Sequence, residues 1–169
     1  MVLLGLAVYF SVAVARTLAG YLLFLKVRPT ALLTWPGRRP AHFPLLIVLG
    51  FVAAALTVIN GTLDRPFHHV YSQGVMAVYF TVMVPLSLKI QPGLYRDGVW
   101  ADAGFLPYGK IGRMAFRETP EIVLILVPRG RSGPFRLPVP SSEYGAVRKI
   151  LEEKIRTRVV NVEKAILGL

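Results

Sequence analysis

Cysteine is absent from the 169 residues. A disulfide, a thiolate nucleophile and a Cys-based zinc or iron–sulfur site are all excluded. Charge is scarce too: 17% of residues carry it, against about 25% in an ordinary globular domain. Acids are the scarcer sign, with 9 Asp/Glu against 20 Lys/Arg and a net charge of +11. No Ser–His–Asp order, HExxH, P-loop or GxGxxG occurs, so the common hydrolytic and nucleotide chemistries lack their carriers. His68 and His69 are adjacent, but the third histidine, His42, is distant in sequence. Two imidazoles without a further ligand do not make a metal site. The expectation is a protein that is not an enzyme, with no cofactor and no metal.

Apolar residues are what the chain has in excess. They make up 54% of it, and the mean hydropathy is +0.53. A helix crosses the hydrocarbon core with about 20 mostly apolar residues. Three segments meet that length: residues 2–25, 43–63 and 70–88. The first resembles a signal peptide only in its position. It has no basic n-region, its apolar run is too long, and no small-residue cleavage site follows, so it is expected to be retained.

Lys26, Arg28, Arg38 and Arg39 fill the first loop, and Lys89 and Arg96 follow the third segment. Between the second and third segments stand only Asp64 and Arg65 with the two histidines. The excess of bases marks the cytoplasmic side. The N-terminus is therefore expected outside, and everything after residue 89 in the cytoplasm, at an inner or plasma membrane. Pro29, Pro36, Gly37 and Pro40 stop helices in the first loop, and Trp35 beside Arg38 suits the headgroup region. Small residues recur four apart at Ser11, Ala15 and Ala19, and at Gly50 and Ala54, a spacing that lets helices approach closely in lipid. Pro85 is expected to kink the third helix.

Arg16 is the one ionisable side chain inside a crossing, and no Asp or Glu lies in any of the three. One reading has it snorkel to the cytoplasmic headgroups. The other has it face a partner subunit or a lipid phosphate, with Thr57, Tyr79 and Thr81 at comparable depth.

Composition changes at residue 89. From there on, fourteen Lys/Arg oppose eight Asp/Glu, a net of +6. Strands are expected at 93–96 and 99–101 around an Asp97-Gly98 type I′ turn, then at 105–106, 113–117, 121–127 and 135–139. Ser141 or Ser142 is expected to cap a helix whose stripe is Tyr144, Val147, Leu151 and Ile155. The domain division is 1–89 for the helices, 90–158 for a small α+β domain and 159–169 for an apolar tail. The tail has three readings: a longer helix, a further strand or a partner-binding segment.

The run GLYRDGVWADAGFLPYGKIGRMAF, with Phe105, Leu106, Pro107, Tyr108 and Ile111, is similar to the recurring hairpin of small bacterial PH-like domains appended to membrane helices. The YcxB-like proteins are among them. The resemblance covers residues 90–158 and implies antiparallel strands capped by a C-terminal helix, in a membrane context, with no catalytic residue. Tyr108 stands where those proteins often have Trp. Arg129, Arg131 and Arg136 surround one Gly-rich turn, and Lys110, Arg113 and Arg117 lie on or beside a neighbouring strand. These six form a candidate surface for anionic headgroups or an acidic partner. No nucleic-acid motif accompanies them. The functional expectation is a membrane adaptor or accessory subunit, self-associating or bound to another membrane protein. The alternative is an oligomeric transporter or channel component.

Overall fold

The computed structural model describes residues 2–130, 133–160 and 164–166. The chain divides into two compact units, residues 1–26 with 37–90, and residues 27–36 with 91–169.

The first unit is helical. Helix α1 spans Val2–Val27, α2 spans Phe43–Thr62 and α3 spans Phe67–Val78. A π turn over Tyr79–Met83 joins α3 to the short α4, Val84–Ser87. Three stretches of the described residues are long and apolar enough to cross a membrane: Leu4–Thr30, Phe43–Thr62 and Phe67–Ser87. Their many exposed leucines, valines and phenylalanines fit helices whose outer face meets an apolar solvent. The π turn lies where the kink is expected. Pro85 has no N–H to give to Thr81, and the Val84 N–H reaches back five residues to the Tyr79 carbonyl.

Gly50 is buried, and so is Ala53. A Cβ at Gly50 would lie 2.6 Å from Thr81 Cγ2 and 3.0 Å from Phe80 Cβ. The glycine therefore sets how closely α2 approaches the π turn. Helix α1 meets this pair through aromatic rings, with Phe10 5.2 Å from Tyr79 and 5.4 Å from Phe80, centroid to centroid. Ala15 and Ala19 are exposed, while Ser11 reaches the Tyr71 hydroxyl of α3 at 2.9 Å, so of the three small residues spaced along α1 it is Ser11 that meets the bundle.

The second unit is α+β. Strands β1 (Ala31–Thr34), β2 (Gly93–Tyr95), β3 (Gly98–Ala101) and β4 (Gly104–Pro107) form one antiparallel sheet in that order. Strands β5 (Ile111–Arg117), β6 (Val123–Pro128), β7 (Phe135–Pro138) and β8 (Lys164–Ile166) form the other, in the order β7-β6-β5-β8. β8 pairs with β5 in parallel, so part of the tail is a strand. Helix α5 covers Tyr144–Arg156. Val147 and Leu151 of its stripe are completely buried, with Tyr144, Ile150 and Ile155 packed beside them.

Three local expectations are corrected. The first concerns the loop between α1 and α2. β1 belongs to the sheet, pairing Leu33 with Leu94 and Thr34 with Gly93. Trp35 is only 7% exposed within the core of this unit, so it is a core residue and not a headgroup residue. The second concerns Asp97-Gly98. A type I′ turn needs positive φ at both central residues, and neither has it. Arg96 and Asp97 make the bend instead. Gly98 serves close approach: a Cβ there would lie 2.5 Å from the Leu106 carbonyl oxygen and 2.7 Å from Phe105 Cζ. The third is the serine cap. Residues 141–143 form a 3-10 turn entered from Pro140, and α5 begins behind Glu143 with no side-chain cap bond.

Two tyrosines close the β2–β3 hairpin from inside. The Tyr108 hydroxyl donates to the Tyr95 carbonyl at 3.0 Å, and the Tyr95 hydroxyl to the Gln91 carbonyl at 2.7 Å. Burial pushes the Tyr95 phenol up to about 12, against a weaker pull from Arg28. Burial, then the Asp97 carboxylate, also pushes the Tyr108 phenol up. A raised folded-state value favours the neutral phenol. The stabilisation is complete below about pH 10 and is lost as pH climbs through the folded-state value. The α+β unit is therefore expected to weaken steeply above about pH 10. Tyr108→Phe loses a hydrogen bond worth about 1 kcal/mol, yet its stability should fall less steeply with pH in that window. Chemical denaturation at a series of alkaline pH values measures the slope, and an unchanged slope in Tyr95→Phe and Tyr108→Phe would clear these phenols of the effect.

Candidate functional site

The outward face of the β5–β6–β7 sheet gathers three of the six expected basic residues, Arg113, Arg117 and Arg136. Along β5, Met114 and Phe116 turn to the core, so Arg113, Ala115 and Arg117 turn away from it. A register shift between Ile111 and Arg113 explains why Ile111 and Gly112 are both buried before the alternation starts. On β6, Leu124 and Leu126 are completely buried while Ile125 and Val127 remain half-exposed. On β7, Phe135 and Leu137 are buried and Arg136 between them is exposed.

Register fixes the pattern across strands. Ala115 pairs with Ile125 and Ile125 with Arg136, while Arg113 stands opposite Val127 and Arg117 opposite Val123. Arg113, Arg117 and Arg136 thus ring the apolar centre Ile125. From strand geometry their Cα atoms are about 12–13 Å apart. That spacing suits three separate anionic groups and is too wide for one phosphate.

The other expected basic residues divide. Lys110 and Arg129 meet at one end of the sheet, where the Arg129 N–H donates to the Lys110 carbonyl at 2.8 Å. The Arg129 stem lies over Gly112, 3.1 Å from where a Cβ would stand. Arg131 lies outside the described residues.

Asp102 and Tyr144 carry contacts that no local sequence pattern signals. The Asp102 carboxylate accepts the Ala103 N–H at 2.7 Å and the Arg136 N–H at 2.9 Å, and the Asp102 N–H donates to the Arg136 carbonyl. It ties the β3–β4 turn to the backbone of β7 and so holds Arg136 in place. Short turn acids read as turn formers, and nothing in the spacing reveals the partner strand. The Tyr144 hydroxyl donates to Glu118 at 2.9 Å, and that bond holds the phenol above its ordinary value.

Known proteins supply no template. The chain matches no family model, no curated protein and no solved structure. No group of three His, Cys, Asp or Glu suited to a metal ion occurs among the described residues. His68 and His69 pack ring to ring at 4.4 Å, exposed or half-exposed.

In the helical unit, Arg16 is exposed on α1 and makes no hydrogen bond or ion pair among the described residues. The hydroxyls considered for it are engaged elsewhere: Thr57 donates to the Ala53 carbonyl at 2.8 Å and Thr81 to the Ala77 carbonyl at 2.7 Å. The Tyr79 ring packs against Phe10 and Phe80. A groove of about 350 Å³ lies between α1 and α3, lined by Ser11, Val14, Tyr71, Gly74, Val75 and Val78. Ser11 donates to the Ala7 carbonyl at 2.7 Å, so in its 2.9 Å bond with Tyr71 the phenol is the donor.

Proposed function

We propose that this chain is a non-enzymatic integral membrane adaptor, crossing an inner or plasma membrane three times. Its basic α+β domain, which we read as PH-like, lies in the cytoplasm and holds anionic headgroups. The β1–β2 ladder is the observation that carries the membrane half of this reading. β1 precedes α2 and β2 follows α4, so both strands must lie on one side of any bilayer. Two crossings return the chain to the side it left. The run of bases in the same two segments then marks that side as the cytoplasm. The headgroup half rests on Arg113, Arg117 and Arg136 around Ile125, each arginine contributing about 1 kcal/mol toward an anionic surface.

Native chain without cysteine makes a topology test clean. Single cysteines at residues 39 and 158 should label from one side and a cysteine at residue 65 from the other; labelling of all three from one side would end the membrane reading. Headgroup binding is tested with the full chain in neutral vesicles, domain outward, mixed with protein-free vesicles rich in phosphatidylglycerol. The two vesicle populations should cluster at low salt and separate as salt rises. Arg113/Arg117/Arg136→Ala should weaken clustering by about a hundredfold, from three contributions of about 1 kcal/mol. Clustering unchanged in that variant would assign attraction to diffuse charge instead of this face.

A further inference from the structure

We infer that the free face of α1 is a docking seam for a transmembrane helix of a different protein, one that carries an Asp or Glu opposite Arg16. The inference rests on the reading that α1 spans a bilayer and adds the chemistry of the partner.

Three observations converge on it. The first is depth. Arg16 and Lys26 are ten residues apart on one helix, a rise of about 15 Å, which is about half the hydrocarbon thickness. With Lys26 at headgroup level, Arg16 sits near the midplane, where an unpaired charge is costly. The second is direction. Arg16 points out of the three-helix unit, and no described residue of its own chain accepts from it.

The third is the pattern around it. Gly5, Tyr9, Val12, Arg16, Ala19 and Leu23 are all exposed and follow one another at intervals of 4, 3, 4, 3 and 4 in the sequence. That is the seam along which one further helix packs at a shallow angle. Space for a Cβ is open at Gly5, so nothing in the described chain fills the seam there.

Charge then selects the occupant. A second copy packed along this seam would set Arg16 against Arg16, and none of the three apolar helices holds a carboxylate to separate them. The complement must come from another chain, and in a low-dielectric setting a carboxylate is the strongest acceptor for a guanidinium.

The test uses the full chain in phosphatidylcholine vesicles with a synthetic leucine-rich transmembrane helix bearing one central Glu, pairing being read by energy transfer between fluorophores. A matched helix with Leu at the centre is the control. The chain should pair with the Glu helix about tenfold more tightly than with the Leu helix. Arg16→Leu should abolish the difference and Arg16→Lys should keep most of it. Leu18→Arg added to Arg16→Leu, which moves the charge off the seam, should not restore it. Equal pairing with both helices, or a preference that survives Arg16→Leu, overturns the inference. So does Arg16-dependent self-pairing, or a preference erased by adding anionic lipid, which would assign Arg16 to a phosphate. Alkaline extraction of the same vesicles separates the two levels. A chain that resists extraction but ignores the Glu helix refutes only the seam, whereas a chain that alkali removes refutes membrane spanning as well.

Discussion

Cut out of the chain, residues 91–169 are expected to lose cooperative tertiary structure, although they hold seven of the eight described strands and helix α5. The missing piece is residues 27–36. Without β1 the Leu94 and Tyr95 backbone becomes a bare edge, and the core loses Trp35. Removing a buried tryptophan costs about 3–5 kcal/mol, and a domain this small has a net stability of about 5 kcal/mol to lose. Near-ultraviolet circular dichroism and hydrogen exchange of the fragment should show a loosely packed state. Fusing residues 27–36 ahead of Gln91 through a flexible linker should restore protection in β2. Gly93→Val in the full chain should mimic the excision, because its Cβ would press on the Leu33 carbonyl and lie 2.8 Å from Thr34 Cα. A fragment that melts as cooperatively as the full chain would mean that β1 is dispensable.

Gly50→Leu should have the second largest effect. Its first added carbon already meets Thr81 Cγ2 at 2.6 Å and the Thr81 backbone nitrogen at 3.1 Å. The π turn would have to move away from α2, at a cost of about 1–3 kcal/mol for overpacking, and more if the helices part. Thermal unfolding in detergent should show the loss. Gly61→Leu on the same helix, where nothing lies within 4 Å of the new Cβ, is the matched control and should be close to neutral. Thr81→Ala combined with Gly50→Ala should recover part of the smaller variant's loss, since the closest contact is that methyl group. If Gly50→Leu and Gly61→Leu melt together, α2 does not pack on the π turn through Gly50.

What the sequence made legible was what repeats locally. Twenty apolar residues in a row announce a long helix, and the ends at Phe43 and near residue 88 follow from prolines and charges. EIVLILV reads as a strand by its β-branched run, and Tyr144, Val147, Leu151 and Ile155 read as a stripe by their spacing. β1 was hidden because ALLT is short and flanked by prolines, and its partner lies about sixty residues further on. Trp35 beside arginines carries the same local signature whether it lines a headgroup layer or fills a core. The candidate face was half legible. The alternation of Arg-Met-Ala-Phe-Arg sets Arg113 and Arg117 on one side of β5 without any knowledge of neighbours. Only the β5–β6–β7 register brings Arg136 beside them, and register is a property of three strands together.

The split sheet also sets a timetable. A ribosome adding about 5–20 residues per second finishes β1 about 3–12 s before β2 exists, and α2 and α3 are made in the interval. Leu33 and Trp35 must wait that long without their partners. The α+β unit therefore completes itself only after α1, α2 and α3 have left the ribosome. The β1–β2 ladder closes only when the two ends of the α2–α3 segment lie side by side, and until then Leu33 and Trp35 have no cover from β2.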